Sequence, residues 1–169
     1  YQYIHSIFAM ETNNILNHSC PACGASDRDR LYALYFTNKF DSIDTSKKYK
    51  FIDFAPEPSL RKVMENYSFL EYRSADLFME SVDDRVDIID MHIYKDNSVD
   101  IFLCSHILEH VEDDRKAMRE LYRILKSGGF GIVMAPILLT LKEVYEDSCI
   151  ISEADRWKHF GQNDHVRIY

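Results

Sequence analysis

The stretch that most constrains the fold is residues 97–136, NSVDIFLCSHILEHVEDDRKAMRELYRILKSGGFGIVMAP. It reads as strand, polar turn, amphipathic helix, glycine stop and second strand, the repeating unit of an open parallel sheet. Residues 99–104 are almost wholly apolar, as suits a strand covered on both faces. The chain then turns polar at Ser105, His106, Glu109 and His110. In open α/β sheets that carboxyl edge is where ligands sit. The next helix carries Ala117, Met118, Leu121, Tyr122, Ile124 and Leu125 on one stripe at helical spacing. Asp113 or Asp114 caps its start, and Gly128-Gly129 is expected to end it. Residues 130–135 supply the next strand.

Composition narrows the class. A chain of 169 residues with 46% hydrophobic content buries one good core. A net charge of −8 disfavours a nucleic-acid backbone or an anionic membrane surface as partner. No apolar run approaches the roughly 20 residues of a membrane span. The N-terminus lacks the basic region and cleavage site of a secretory leader. It also lacks an initiator Met, as expected of a cut fragment. Four unevenly spaced cysteines do not make a disulfide framework, so the thiols read as reduced and the protein as cytoplasmic.

No internal repeat or low-complexity tract interrupts the chain. Residues 1–48 form an N-terminal extension packed on the core. It comprises an apolar-rich stretch, a Cys-Pro-Ala-Cys-Gly turn and a helix over about residues 29–38. Leu31, Leu34, Tyr35 and Phe36 are expected on the inward face of that helix. SKKYK at 46–50 is a polar joint. From residue 49 strands and helices alternate: strand 50–54, helix 59–66, strand 69–73 and strand 85–89 precede the two strands of the opening segment. The expected fold class is α/β, a Rossmann-like open parallel sheet with right-handed crossovers and helices on both faces.

The phrase KDNSVDIFLCSHILEHVEDDRKAMRELYRILKSGGF resembles the fourth strand, acidic turn, helix and Gly-Gly bend of class I S-adenosylmethionine-dependent methyltransferases, type 11-like. The strand-loop-helix at 50–66 and an acid, Asp76, just past the second strand agree with that family. The flanks CPACGASDRDRLYALYF and FGQNDHVRIY resemble a bacterial branch linked to surface-polysaccharide synthesis. The resemblance implies strand order 3-2-1-4-5 for a methyltransferase-like domain over residues 49–169. Only 33 residues follow Pro136, and the family's two final strands have no clear counterpart there. An exposed fifth strand would favour a homodimer.

The resemblance also implies site residues. Asp53, Ala55, Pro56 and Glu57 fall where the family has a glycine-rich loop that brings backbone amides to the methionine portion of S-adenosylmethionine. Here Ala55, Glu57 and Ser59 stand in the glycine slots, a departure that either reshapes or weakens the pocket. Pro58 suits the first turn of the following helix. Asp76 lies 23 positions past Asp53, near the roughly 20-residue offset at which an acid meets ribose hydroxyls. The run DIIDM resembles the loop over the adenine ring. Asp87 and Asp90 compete there to accept from the adenine amino group, with Leu77, Ile88 and Met91 as apolar faces. Ser105 and His106 fall against the methionine end and the transferable methyl.

Methyl transfer requires alignment of nucleophile and methyl carbon, and often removal of a proton. A histidine titrating near neutrality is the natural base. His106 is one candidate by position and His165 another, with Arg167 beside it as a possible anion clamp. Glu109 and His110 read as residues that hold the turn. Arg28 or Arg30 can face an acidic substrate. Cys20 and Cys23 have the look of half a zinc knuckle, but no second Cys pair exists, so a plain turn is preferred and no metal is assigned. Tyr and Phe mostly fill core, and a few near the N-terminus can form a lid.

The expected function is methyl transfer from S-adenosylmethionine to a small-molecule or saccharide-type acceptor. The alternative is a catalytically silent methyltransferase-like binding or assembly module. A nicotinamide-dependent dehydrogenase is remote, because no G-x-G-x-x-G is present.

Overall fold

A computed structural model of the chain describes residues 18–169. The apolar-rich N-terminal stretch and the aromatic residues considered for a lid fall largely outside that range. Strands β1 (Tyr49–Phe54), β2 (Leu70–Asp76), β3 (Asp84–Arg85), β4 (Val99–Ser105) and β5 (Leu125–Met134) form one sheet in the order β3-β2-β1-β4-β5. Every pairing in it is parallel, as the alternating pattern predicts. Helices α1 (Asp27–Phe40), α2 (Pro58–Met64) and α3 (Asp114–Ile124) cover it.

Strand alternation sorts the side chains into two cores. Phe51, Ile101 and Leu103 face Tyr32, Phe36 and Phe40 of α1 and Leu60 and Met64 of α2. Ile52, Phe54, Phe102 and Cys104 face Ala117, Leu121 and Ile124 of α3, together with Val86, Ile88, Met91 and Tyr94. The first core is aromatic: the ring of Phe36 lies 5.2 Å from Phe51, and that of Phe40 lies 5.3 Å from Phe69, both edge to face. The same parity turns Asp53 and Ser105 toward the α1–α2 side.

Helix α1 is longer than expected, and of its expected inward face only Phe36 is buried. Tyr32, Phe36 and Phe40 recur every fourth residue and are buried, whereas Leu31 and Leu34 are each 59% exposed and Tyr35 is also exposed. Four-residue spacing of large aromatics outweighs the hydrophobicity of the residues between them. Its start is a capping box: Ser26 Oγ accepts from Asp29 N–H, and Asp29 Oδ2 accepts from Ser26 N–H.

Helix α3 departs from expectation at two points. Met118 is exposed and Tyr122 is 83% exposed, so only Ala117, Leu121 and Ile124 of the expected stripe are fully buried. The helix also stops at Ile124, four residues before Gly128. Asn97 N–H and Ser98 N–H donate to the carbonyls of Arg123 and Ile124, so a crossing chain caps the helix end. Asp113 is its N-cap, accepting from Lys116 N–H. Gly128 (φ 82°) and Gly129, whose added Cβ would meet the Asp100 carbonyl at 2.6 Å, instead bend β5 where its register against β4 shifts.

The strand expected over 85–89 is short. It ends at Arg85, and beyond Val86 the chain forms a turn closed by an Asp87–Asp90 bridge. Asp87 Oδ1 accepts from Ile89 N–H and turns the backbone out of the ladder.

Gly131 faces Phe102 across the β4–β5 pairing, and a Cβ there would come within 2.2 Å of the ring. Phe102 is buried and has little room to retreat. Gly131→Ala is therefore expected to destabilise by about 1–3 kcal/mol through overpacking. Equilibrium urea unfolding checks this, and a variant as stable as the parent would contradict the close approach.

After β5 the chain leaves the main sheet. A short antiparallel ribbon joins β6 (Tyr145–Glu146) to β7 (Arg167–Ile168), with helix α4 (Glu153–Phe160) between them. Ser152 caps α4, and Gly161 closes it at φ 83°. The closing segment returns to the turn after β4: Val166 N–H donates to the Glu109 carbonyl at 2.8 Å. No described helix is long and apolar enough to cross a membrane.

Candidate functional site

The carboxyl ends of β1 and β4 lie side by side, and a cavity of about 130 Å³ opens between them. Its walls come from β1 and the following loop (Asp53, Phe54, Ala55, Glu57), from β4 and the residue after it (Leu103, Ser105, His106), from α2 (Leu60) and from α1 (Arg28, Asp29, Tyr32). The sheet's parity brings Asp53 and Ser105 here, and α1 crosses over them.

Two residues at the strand ends take the left-handed backbone conformation, Ala55 at φ 52° and His106 at φ 55°. Both still complete the ladder: Ala55 N–H donates to Ala75 O, and His106 N–H donates to Met134 O. A non-glycine residue there costs about 1 kcal/mol. The loop therefore keeps a glycine-like backbone at Ala55 without glycine. Ala55→Gly is expected to be neutral or up to about 1 kcal/mol stabilising, since relief of strain is partly offset by greater unfolded-state entropy. A guanidinium titration showing a loss above that size would refute the strain at Ala55.

Asp53 is the most buried charged group in the cavity wall, at 1% exposure. Tyr72 donates its hydroxyl to Oδ2 at 2.8 Å. Burial pushes the carboxyl up to about 7, only partly opposed by the Tyr72 hydrogen bond, while the charges of Asp29 and Glu57 push it further. Burial likewise raises the Tyr72 hydroxyl, and the Asp53 charge adds to the effect. Asp29 is buried too, and its Oδ2 accepts from Ser59 Oγ at 3.1 Å. Three carboxylates and one arginine, Arg28, thus surround the space, a balance that favours a cationic occupant. Tyr32 links the walls through a 2.8 Å hydrogen bond to Ser105 Oγ. Asp29 and Tyr32 were missed as site residues in the sequence.

His106 carries its Nδ1 3.0 Å from Oε1 of the fully buried Glu109. His165 lies outside the cavity wall, buried with its ring edge-on to His110 at 4.6 Å. Burial, reinforced by the neighbouring His110, holds the His165 imidazole below its ordinary value. Arg167 is also buried, and its guanidinium donates to the carbonyls of Leu108, Val111 and Glu112. It clamps backbone, and its remaining donor, Nε, is taken by Glu146 Oε2 at 3.0 Å, so none is presented to a substrate anion.

The remaining predicted residues lie away from this cavity. Pro56 is buried. Asp76 ends β2, and its Oδ1 accepts from Phe78 N–H and Met79 N–H at 2.6 and 2.7 Å, with Leu77 half-buried beside it. Asp87 braces the turn, Asp90 is exposed, and Ile88 and Met91 point into the α3-side core. Met91 N–H donates to Glu120 of α3. Arg123, bonded to Glu120, donates to the carbonyls of Met91 and Tyr94. Helix α3 thus fixes that loop. Arg30 turns back to the carbonyls of His18 and Ala25. Cys20 and Cys23 sit in a turn closed by Gly24 N–H on the Cys20 carbonyl.

The family model described as a methyltransferase domain matches residues 31–133, from α1 through β5. No curated protein matches the chain. The solved YcgJ protein of Bacillus subtilis is similar at 18% identity with a TM-score of 0.53, over 82% of this chain and 62% of that one. The DszA carbon methyltransferase is similar at 12% identity and TM-score 0.53, over 66% and 36%. The cyclase SpnF is similar at 15% and 0.51, over 77% and 57%. These likenesses concern the fold. The chain spans between 36% and 62% of the length of these three structures.

Proposed function

The chain belongs to the methyltransferase domain family, and we propose that it binds S-adenosylmethionine at the carboxyl edge of its sheet and directs methyl transfer to a small-molecule or saccharide-type acceptor. The observation that carries this reading is Asp53: a buried carboxylate in a cavity wall, hydrogen-bonded to a neutral tyrosine hydroxyl and to no cation. Such a group fits an ammonium, which the amino-acid end of the donor carries. The 130 Å³ of the cavity suits that end of the donor rather than the whole of it. Arg28 fits the adjoining carboxylate. Asp76 and Leu77, with Asp87 and Asp90, would serve the adenosine part, Asp76 through the oxygen its two backbone bonds do not use, whereas Ile88 and Met91 are buried and back that loop from the core instead of facing an adenine ring.

When bound, the donor supplies a methyl carbon made electrophilic by its sulfonium. The chain's own residues align and deprotonate. Ser105 and Tyr32 present hydroxyls at the cavity wall, and each can orient an acceptor oxygen or nitrogen. His106 is the better placed of the two histidines to take a proton: it lines the cavity, and the Glu109 carboxylate 3.0 Å from Nδ1 offers a counter-charge to the imidazolium that forms. His165 lies behind this pair. The 1–48 segment belongs functionally with the 49–169 domain, since its helix contributes Arg28, Asp29 and Tyr32 to the wall. The outer edge of β5 ends the sheet, which supports pairing of two copies through it.

Calorimetric titration with S-adenosylmethionine and S-adenosylhomocysteine tests the reading. Saturable heat is expected from both, weakened about tenfold or more by Asp76→Ala through loss of the ribose contacts. No saturable heat from either ligand would overturn the enzyme reading in favour of a silent module. Binding indifferent to Asp76→Ala would remove the ribose assignment alone.

A further inference from the structure

Next to His106 lies a cluster of which the methyl-transfer reading uses Glu109 alone. Glu109, His110 and His165 each offer a ligand atom, and these atoms all lie within 4.8 Å of one another. Glu109 is 0% exposed, and neither of its oxygens accepts a hydrogen bond. The His106 Nδ1 approaches Oε1 to 3.0 Å without the alignment of a hydrogen bond, and Oε2 has no partner. Folds rarely bury a carboxylate in this way unless a cation is supplied to it. His110 Nδ1 stands 3.2 Å from Asp164 Oδ2, which leaves Nε2 to ligate. A carboxylate behind a ligating imidazole is the usual support of such a ligand. His165 is buried on the other side of the cluster, its ring edge-on to that of His110 at 4.6 Å.

We propose that Glu109, His110 and His165 bind one divalent transition-metal ion of the zinc class. Two imidazoles and a carboxylate are a zinc-type donor set that leaves a fourth position open. Bonds of roughly 2.0–2.2 Å place tetrahedral ligands about 3.4 Å apart, so rotations of an ångström or so at the Glu109 and His110 side chains close the site. Glu109 and His110 belong to the 3-10 turn Leu108–His110 that follows β4, and His165 comes from the closing segment beside β7. The ion therefore ties that segment to the cavity-bearing edge of the sheet and gives Glu109 its missing partner. Among the described residues this is the one group of three such ligands, and Cys20 and Cys23 gain no third member.

The test uses the whole chain stripped with EDTA, then titrated with Zn²⁺ against a chromophoric chelator and with Co²⁺ read by visible absorption. One equivalent of Zn²⁺ is expected, with a d–d spectrum for Co²⁺ and a rise in melting temperature on adding either metal. His165→Ala should weaken Zn²⁺ binding by about 100-fold or more. Glu109→Gln keeps the volume and removes the buried charge. Its metal-free form should melt at or above the parent, yet gain nothing from Zn²⁺. The Cys20→Ser/Cys23→Ser double variant should bind as the parent does. The proposal is overturned if the parent binds no stoichiometric metal, if Glu109→Gln and His165→Ala leave affinity unchanged, or if only the cysteine variant loses it. Donor titration of the metal-free protein is a separate readout, so failure of the methyl donor to bind leaves the metal result standing.

Discussion

Replacing Arg167 by alanine is expected to destabilise the protein by about 3–5 kcal/mol and to lower its melting temperature by on the order of 10 °C. The side chain is 4% exposed. Nη1 donates to the Leu108 carbonyl at 2.8 Å and also to that of Val111, Nη2 donates to Glu112 O at 2.9 Å, and Nε reaches Glu146 at 3.0 Å. The carbonyls belong to the turn between β4 and α3, where a backbone without donors would be stranded on removal of the guanidinium. The Glu146 contact contributes little, since that carboxylate is 56% exposed. Lysine in place of Arg167 keeps the charge but cannot span three carbonyls, so Arg167→Lys should lose most of the same stability. Urea unfolding and hydrogen exchange at the Val166 amide, which bonds Glu109 O, provide the readouts. An alanine variant melting within about 2 °C of the parent would remove the clamp from the account.

Arg167 also marks the limit of what the sequence discloses. Strand order was legible because each strand carries a short apolar run and each crossover a helix-like pattern, so β1, β2, β4 and β5 fall close to their expected positions. The inward face of α1 was not legible: hydrophobicity alone points to Leu31 and Leu34, while four-residue packing of Tyr32, Phe36 and Phe40 on Phe51 decides it. Gly128-Gly129 read as a helix stop because that is their commonest local role. The helix ends earlier, on N–H groups donated by residues 97 and 98, which lie far from it in sequence. Of the residues expected at the site, Asp53, Ala55, Glu57, Ser105 and His106 line the cavity because two strand ends define that edge. Asp29 and Tyr32 enter through the way α1 crosses that edge, a tertiary fact that no local motif encodes. The same holds for the meeting of Glu109, His110 and His165, which requires the closing segment to fold back across the turn after β4.

Asp53→Asn is expected to stabilise the unliganded protein at pH 8 by up to roughly 4 kcal/mol, and to abolish its affinity for the methyl donor. The first half follows from linkage. Below about pH 4 the carboxyl is protonated in both folded and unfolded chains. As the pH rises toward about 7 the unfolded chain has lost that proton while the folded one retains it, because burial opposes the charge. The folded state then binds more protons than the unfolded, so stability falls as pH rises through this window. Asparagine accepts the same Tyr72 hydroxyl and carries no charge, so its unfolding curve lacks this slope. Unfolding of parent and variant at pH 5 and pH 8 decides the point: parallel profiles would contradict the burial cost at Asp53.

The second half follows from the same charge. A bound ammonium favours the ionised carboxylate, so donor binding to the parent should release a proton near neutral pH and tighten between pH 5.5 and pH 8. Asp53→Asn has no such proton to release and no charge to offer. A site that is costly empty and satisfied when filled is the expected signature of a binding carboxylate, in which stability has been exchanged for affinity. If the variant binds the donor as tightly as the parent, with the same pH dependence, Asp53 is a buried structural acid, and the ammonium must be received by Asp29 or Glu57 on the opposite walls of the cavity.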